Sequence, residues 1–119
     1  MSLGRKMLLG TLGALGVFAA APAMADPLQD PVAVALTLKD HRFTPDKVSV
    51  PAGRKVRIEL ANQDAAMEEF DSEDLRVEKD VTPHGKVSFT VGPLKPGTYS
   101  FMGELHAETA SGVLTAVGD

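Results

Sequence analysis

The sequence has 119 residues, of which 44% are hydrophobic and 24% charged, with no cysteine and a formal net charge of −4. Of the 12 Lys and Arg, Arg5 and Lys6 precede residue 26 while all 16 Asp and Glu lie beyond residue 25, so residues 26–119 carry a formal charge of −6. That balance excludes a nucleic-acid partner, whose phosphates demand an excess of cations, and the missing cysteines exclude disulfides and thiolate chemistry.

Arg5 and Lys6, the uncharged apolar run Met7 to Ala21 and the small-x-small step Ala23-Met24-Ala25 read as a secretory signal over residues 1–25. Cleavage there leaves 94 residues and a periplasmic location, enough chain for one core. Residues 26–31 are a Pro- and Asp-bearing flexible lead, and residues 32–119 are the domain.

Val32, Val34, Leu36 and Leu38 alternate with more polar neighbours, the period of a strand with one buried face. Phe43-Thr-Pro-Asp46 reads as a turn, followed by a short strand at Lys47 to Val50 and a tight turn at Pro51-Ala-Gly53. Val56, Ile58 and Leu60 against Arg57 and Glu59 give the clearest alternation in the chain. Asn62 to Ala66 is turn-prone and opens an acidic segment, Met67 to Asp74, in which Phe70 is the single aromatic. Leu75 and Val77 suggest an extended stretch, Val87, Phe89 and Val91 a further strand, and Pro96-Gly97 a turn into a strand carrying Tyr99 and Phe101. A loop, Gly103 to Gly112, then leads to a last strand at Val113 to Val117. Seven or eight short strands, Pro and Gly turns and no major helix predict an all-β, Greek-key β-sandwich.

Three stretches in this order resemble the cupredoxin family: Phe43-Thr-Pro-Asp-Lys-Val-Ser-Val-Pro-Ala-Gly53, Asn62-Gln-Asp64, and Leu94-Lys-Pro-Gly-Thr-Tyr-Ser-Phe101 before a His-bearing loop. The resemblance spans residues 32–119 and implies a metal site at one end of the sandwich. A blue-copper member carries a His2Cys set with a weak axial Met. Here Gly103 stands at the cysteine position, His106 keeps the step after it, Thr109 or Ser111 stands where the Met would fall, and the first His position falls on Glu68 or Glu69. A type 1 blue site is therefore not expected. Met67-Glu-Glu-Phe-Asp-Ser72 and Phe101-Met-Gly-Glu-Leu-His106 are similar to a non-blue subgroup, the cupredoxin domain of EfeO-type periplasmic iron-uptake proteins. That similarity implies binding of iron or copper beside a membrane iron permease.

In such a sandwich the loops after Asn62 and after Phe101 emerge at one end, so Glu69, Asp71, Glu104 and His106 are the expected metal ligands. Residues two apart share a face of a strand, so Glu69 and Asp71 present together while Glu68 joins Phe70, which favours Glu69 over Glu68. Carboxylates with one imidazole suit iron, copper(II), zinc or manganese, and could assist ferrous oxidation without a full catalytic set. Met67 and Met102 with His106 would make a softer copper(I) carrier site, although methionine is also a common core filler. His41 and His84 lie beside turn residues and are expected to be exposed. A metal-free interaction domain whose acidic rim docks a periplasmic partner is the reading from another class.

Overall fold

The computed structural model describes residues 30–118, and the expected secretory signal and most of the lead lie outside the described residues. Nine strands follow in order: β1 Val32–Lys39, β2 Arg42–Thr44, β3 Lys47–Pro51, β4 Val56–Asn62, β5 Glu68–Ser72, β6 Val77–Val81, β7 Lys86–Val91, β8 Gly97–Gly103 and β9 Ser111–Val117. They form two sheets, ordered β2-β1-β4-β7 and β3-β9-β8-β5-β6. The all-β sandwich expected from the sequence is the observed class, with nine strands instead of seven or eight. Among the described residues a 3-10 turn, Glu104–His106, follows β8.

Alternation explains the layers. Val34, Leu36 and Leu38 of β1, Val56, Ile58 and Leu60 of β4, and Phe89 and Val91 of β7 all point into the sandwich. The facing sheet contributes Val50, Phe70, Val81, Phe101, Leu114 and Ala116. Phe70 is fully buried at the centre, with ring centroids 5.0 Å from Phe89, 5.2 Å from Phe101 and 6.0 Å from Phe43. Fully burying such a side chain contributes about 2–3 kcal/mol, so this aromatic cluster fixes how the two sheets face.

Two elements differ from the sequence expectation. The stretch read as the Phe43-Thr-Pro-Asp46 turn contains β2, which pairs with β1 through Leu38 and Phe43 across a two-residue turn, Asp40-His41. Both turn residues have positive φ, 52° and 58°, the geometry whose twist matches the flanking strands. The acidic segment, not counted among the strands although its spacing set Glu69 and Asp71 on one strand face, contains a central strand, Glu68 to Ser72, between β6 and β8. It holds because Glu68, Phe70 and Ser72 are buried while Glu69 and Asp71 face out.

The end of the sandwich that carries these segments is tied together by Asn62, 2% exposed at the end of β4. Its amide nitrogen donates to the carbonyls of Ala66 (2.9 Å) and Thr82 (3.1 Å), and its side-chain oxygen accepts from the Asp64 amide (2.9 Å). Replacing Asn62 with Ala removes three hydrogen bonds to these part-buried backbone groups, and a loss of about 1–2 kcal/mol in chemical denaturation is expected; an unchanged midpoint and slope would contradict that role.

Candidate metal centre

Two separate constellations arise from the alternation of β5. The inner one begins at Glu68, whose side chain is 1% exposed although it is ionisable. Its Oε1 accepts from the amides of Glu69 (3.0 Å) and Leu105 (2.8 Å), and its Oε2 lies 2.6 Å from His106 Nδ1. With two amides already donating to the carboxylate, the imidazole completes it by donating its Nδ1 proton. Such a charge-assisted, short hydrogen bond offsets the desolvation of a buried carboxylate.

His106 is further held by stacking. Its ring lies 3.6 Å from that of His41 with planes 16° apart. His41 sits on the Asp40-His41 turn, and Asp64 accepts from both turn amides, at 2.7 Å and 3.0 Å. Thr109 Oγ1 donates to the His41 carbonyl at 2.7 Å. Partial burial raises the Asp64 carboxyl, but the His41 and Asp40 amides and the nearby His41 and His106 rings outweigh it and leave its pKa lowered. Nearly parallel rings direct their nitrogen lone pairs side by side, so the stacked pair does not converge on a single ion.

Gly103, the last residue of β8, closes this inner constellation. It pairs with Phe70 in register. A Cβ at Gly103 would lie 2.6 Å from Glu68 Cδ, 2.7 Å from Glu68 Oε2 and 3.0 Å from the Ala110 methyl. The carboxylate thus fills the space that a side chain at 103 would enter.

The outer constellation lies on the opposite face of β5. The antiparallel register sets Glu69 against Asp80 and Asp71 against Glu78, so like charges stand directly across the strand pair, an arrangement that is destabilising by itself. Carboxylate oxygens of Glu69, Glu78 and Glu104 lie within 4.8 Å of one another. Partial desolvation and the charges of Glu104, Glu78, Asp80 and Asp71 push the Glu69 carboxyl up. The Asp71 charge pushes Glu104 up, as do desolvation, a side-chain hydrogen bond with Asp71, and Glu78. Glu104 therefore holds its proton more readily than an isolated carboxyl does.

Of the ligands expected from the sequence, Glu69 and Glu104 come together and Asp71 adjoins them through Glu104. His106 does not join them: it is bonded to Glu68, on the inner side of the strand. Glu78 was missed, since it lies beyond the acidic segment and reaches Glu69 only through the β5–β6 pairing. Met67 and Met102 are 41% and 39% exposed, and Met102 stands beside Asp71 across the β5–β8 pair. His84 is exposed, as expected, whereas His41 is half-buried.

The family model of the cupredoxin-like domain matches residues 10–116. The uncharacterized protein RP394 of Rickettsia prowazekii is 44% identical over 81 residues, which cover 68% of this chain and 65% of that protein. Among solved structures, auracyanin A, a "blue" copper protein of Chloroflexus aurantiacus, superimposes with a TM-score of 0.62 at 16% identity, covering 73% of this chain and 99% of that one. Auracyanin B gives 0.65 at 16% identity, covering 75% and 91%. The metal-binding domain of the Cu(I) exporting P-type ATPase CopA of Streptococcus pneumoniae, with Cu(I), gives 0.61 at 14% identity, covering 71% and 84%.

At these identities the structures establish a shared fold. The donor set here does not fit a thiolate copper centre: the chain has no cysteine, and the inner space beside Gly103 is filled by the Glu68 carboxylate. With its two sheets, its match over residues 10–116 and an altered set of residues at one end, this chain belongs to the cupredoxin-like domain family.

Proposed function

We propose that this protein is a periplasmic metal-binding accessory of a bacterial iron-uptake system, acting beside a membrane iron permease and carrying iron or copper as cargo. The observation that carries this reading is the outer carboxylate group, Glu69, Glu78 and Glu104 within 4.8 Å of one another. Clustered carboxylates repel one another unless a cation sits among them, and an all-oxygen set prefers hard and borderline ions. Asp71, bonded to Glu104, is placed to orient or join it. The secretory character of residues 1–25 supports export, and the Met67-Glu-Glu-Phe-Asp-Ser72 and Phe101-Met-Gly-Glu-Leu-His106 stretches support the link to iron uptake.

A second reading draws on the same face. Glu78 and Asp80 are exposed on β6, an edge strand, so the acidic surface could instead dock a basic periplasmic partner. Partner capture that survives chelation and weakens with salt favours docking, and loss on chelation favours the metal.

Isothermal titration of the metal-free protein with copper(II), zinc and anaerobic iron(II) tests the first reading. One ion is expected to bind at neutral pH, with affinity reduced on the order of tenfold or more by Glu69→Gln with Glu104→Gln, because ligand charge sets affinity in such sites. Binding heats identical to those of the double variant would contradict it.

The same substitutions have the opposite effect on stability. Both carboxyls are raised in the folded chain, so the folded state holds their protons more tightly than the unfolded state, and stability falls as pH rises through the ordinary carboxylate range to the raised folded values. Glu69→Gln or Glu104→Gln is therefore expected to raise the melting temperature of the metal-free protein at neutral pH, with the gain vanishing in acid and shrinking in high salt. A lower melting temperature at neutral pH would contradict the repulsion.

His106→Ala provides the contrast. Removing the partner of a buried carboxylate is expected to lower stability by about 3 kcal/mol while leaving ion affinity within a few-fold of the parent. A parallel loss of affinity would place His106 among the ligands.

A further inference from the structure

The inner constellation has its own consequence, independent of the outer carboxylates. Three positions aim at one point: residue 68 on β5, residue 103 at the end of β8 and residue 106 on the 3-10 turn. The distances fix this, since Glu68 Oε2 is 2.6 Å from His106 Nδ1 and a Cβ at 103 would meet the same carboxyl group at 2.6–2.7 Å. An imidazole at 68, a thiol at 103 and the existing His106 would constitute a trigonal set of two imidazoles and a thiolate, the arrangement that takes copper. In this chain the point is filled by a carboxylate with each of its oxygens engaged by donors.

We infer that Glu68 is the specificity-determining residue that closes this end of the sandwich to soft metal, by filling the thiolate space and occupying His106 Nδ1. Displacing it would strand two backbone amides and the imidazole proton at once, so the closure is built into the fold and does not depend on an exchangeable ligand. The 2.6 Å hydrogen bond occupies the line between Glu68 Oε2 and His106 Nδ1, where an ion held by both would have to sit. Glu69, one residue on, faces the opposite side of β5, so closure of the inner point leaves the outer face untouched.

The test compares the full chain carrying Gly103→Cys alone with the chain carrying Glu68→His and Gly103→Cys together, each titrated with copper(II) while the visible thiolate-to-copper absorption is recorded. The double variant is expected to develop the band with one equivalent of copper, and Gly103→Cys alone to remain colourless. Equal bands in both variants, or a folded double variant without a band, would overturn the inference. A second pair needs neither copper nor thiol. Gly103→Ala is expected to lower the melting temperature of the parent, and by clearly less in a Glu68→Ala background, where the two nearest atoms that the new Cβ meets are gone and only the 3.0 Å approach to the Ala110 methyl remains. An equal drop in both backgrounds would overturn the inference even if the thiol variants do not fold. Glu69 and Glu104 are unaltered throughout, so failure here leaves the outer-site titration to be judged separately.

Discussion

The short hydrogen bond between buried Glu68 and His106 is the constraint on which this end of the molecule depends. A carboxylate that is 1% exposed is tolerable only with its lone pairs satisfied, and the donors come from three places: the next residue of β5, the Leu105 amide and the His106 ring. Satisfying Glu68 therefore fixes the 3-10 turn after β8. Stacking of His106 on His41 passes the constraint to the β1–β2 turn, which Asp64 and Thr109 hold in a conformation that neither Asp40 nor His41 would favour alone. Loops that would otherwise be independent are joined through one ionisable side chain.

The same residue sets the outer chemistry, because period-two alternation makes one face of a strand the consequence of the other. With Glu68, Phe70 and Ser72 turned inward, Glu69 and Asp71 must point outward, where the β6 register meets them with Asp80 and Glu78. Strand pairs normally avoid like charges in direct opposition. Retaining two such pairs beside Glu104 sacrifices stability at a surface that could readily have been neutral, and bound cations or a basic partner would relieve that strain. The chain shares its sandwich fold with auracyanin A, a "blue" copper protein, while the end that carries β5 and the turn after β8 presents carboxylates on both faces of β5.

Much of the architecture was legible because β1, β4 and β7 alternate cleanly, and hydrophobic period two leaves little choice of face. β2 was hidden by its three-residue length, although Lys39-Asp-His-Arg42 between Leu38 and Phe43 carried a hairpin signal in Asp40, a residue that tolerates positive φ. β5 was obscured because two of its three inward residues, Glu68 and Ser72, are polar; Ser72 earns its burial by donating to the Ser100 carbonyl and accepting from Leu75. The pairing of Glu69 with Asp71 followed from spacing alone. The direction of His106 did not, since nothing local reveals which way a side chain on a 3-10 turn points. Glu78 required the β5–β6 register, a non-local fact.

The division of the site into an inner closed pair and an outer open carboxylate group is most directly examined by carbon-detected NMR of the side-chain carboxyl and imidazole groups during titration with a diamagnetic divalent ion such as zinc. The account predicts that the carboxyl signals of Glu69, Glu78 and Glu104 move together with the first equivalent while Glu68 and the His106 ring keep their positions. First-equivalent shifts of Glu68 and His106, with the outer carboxyls unmoved, would contradict it.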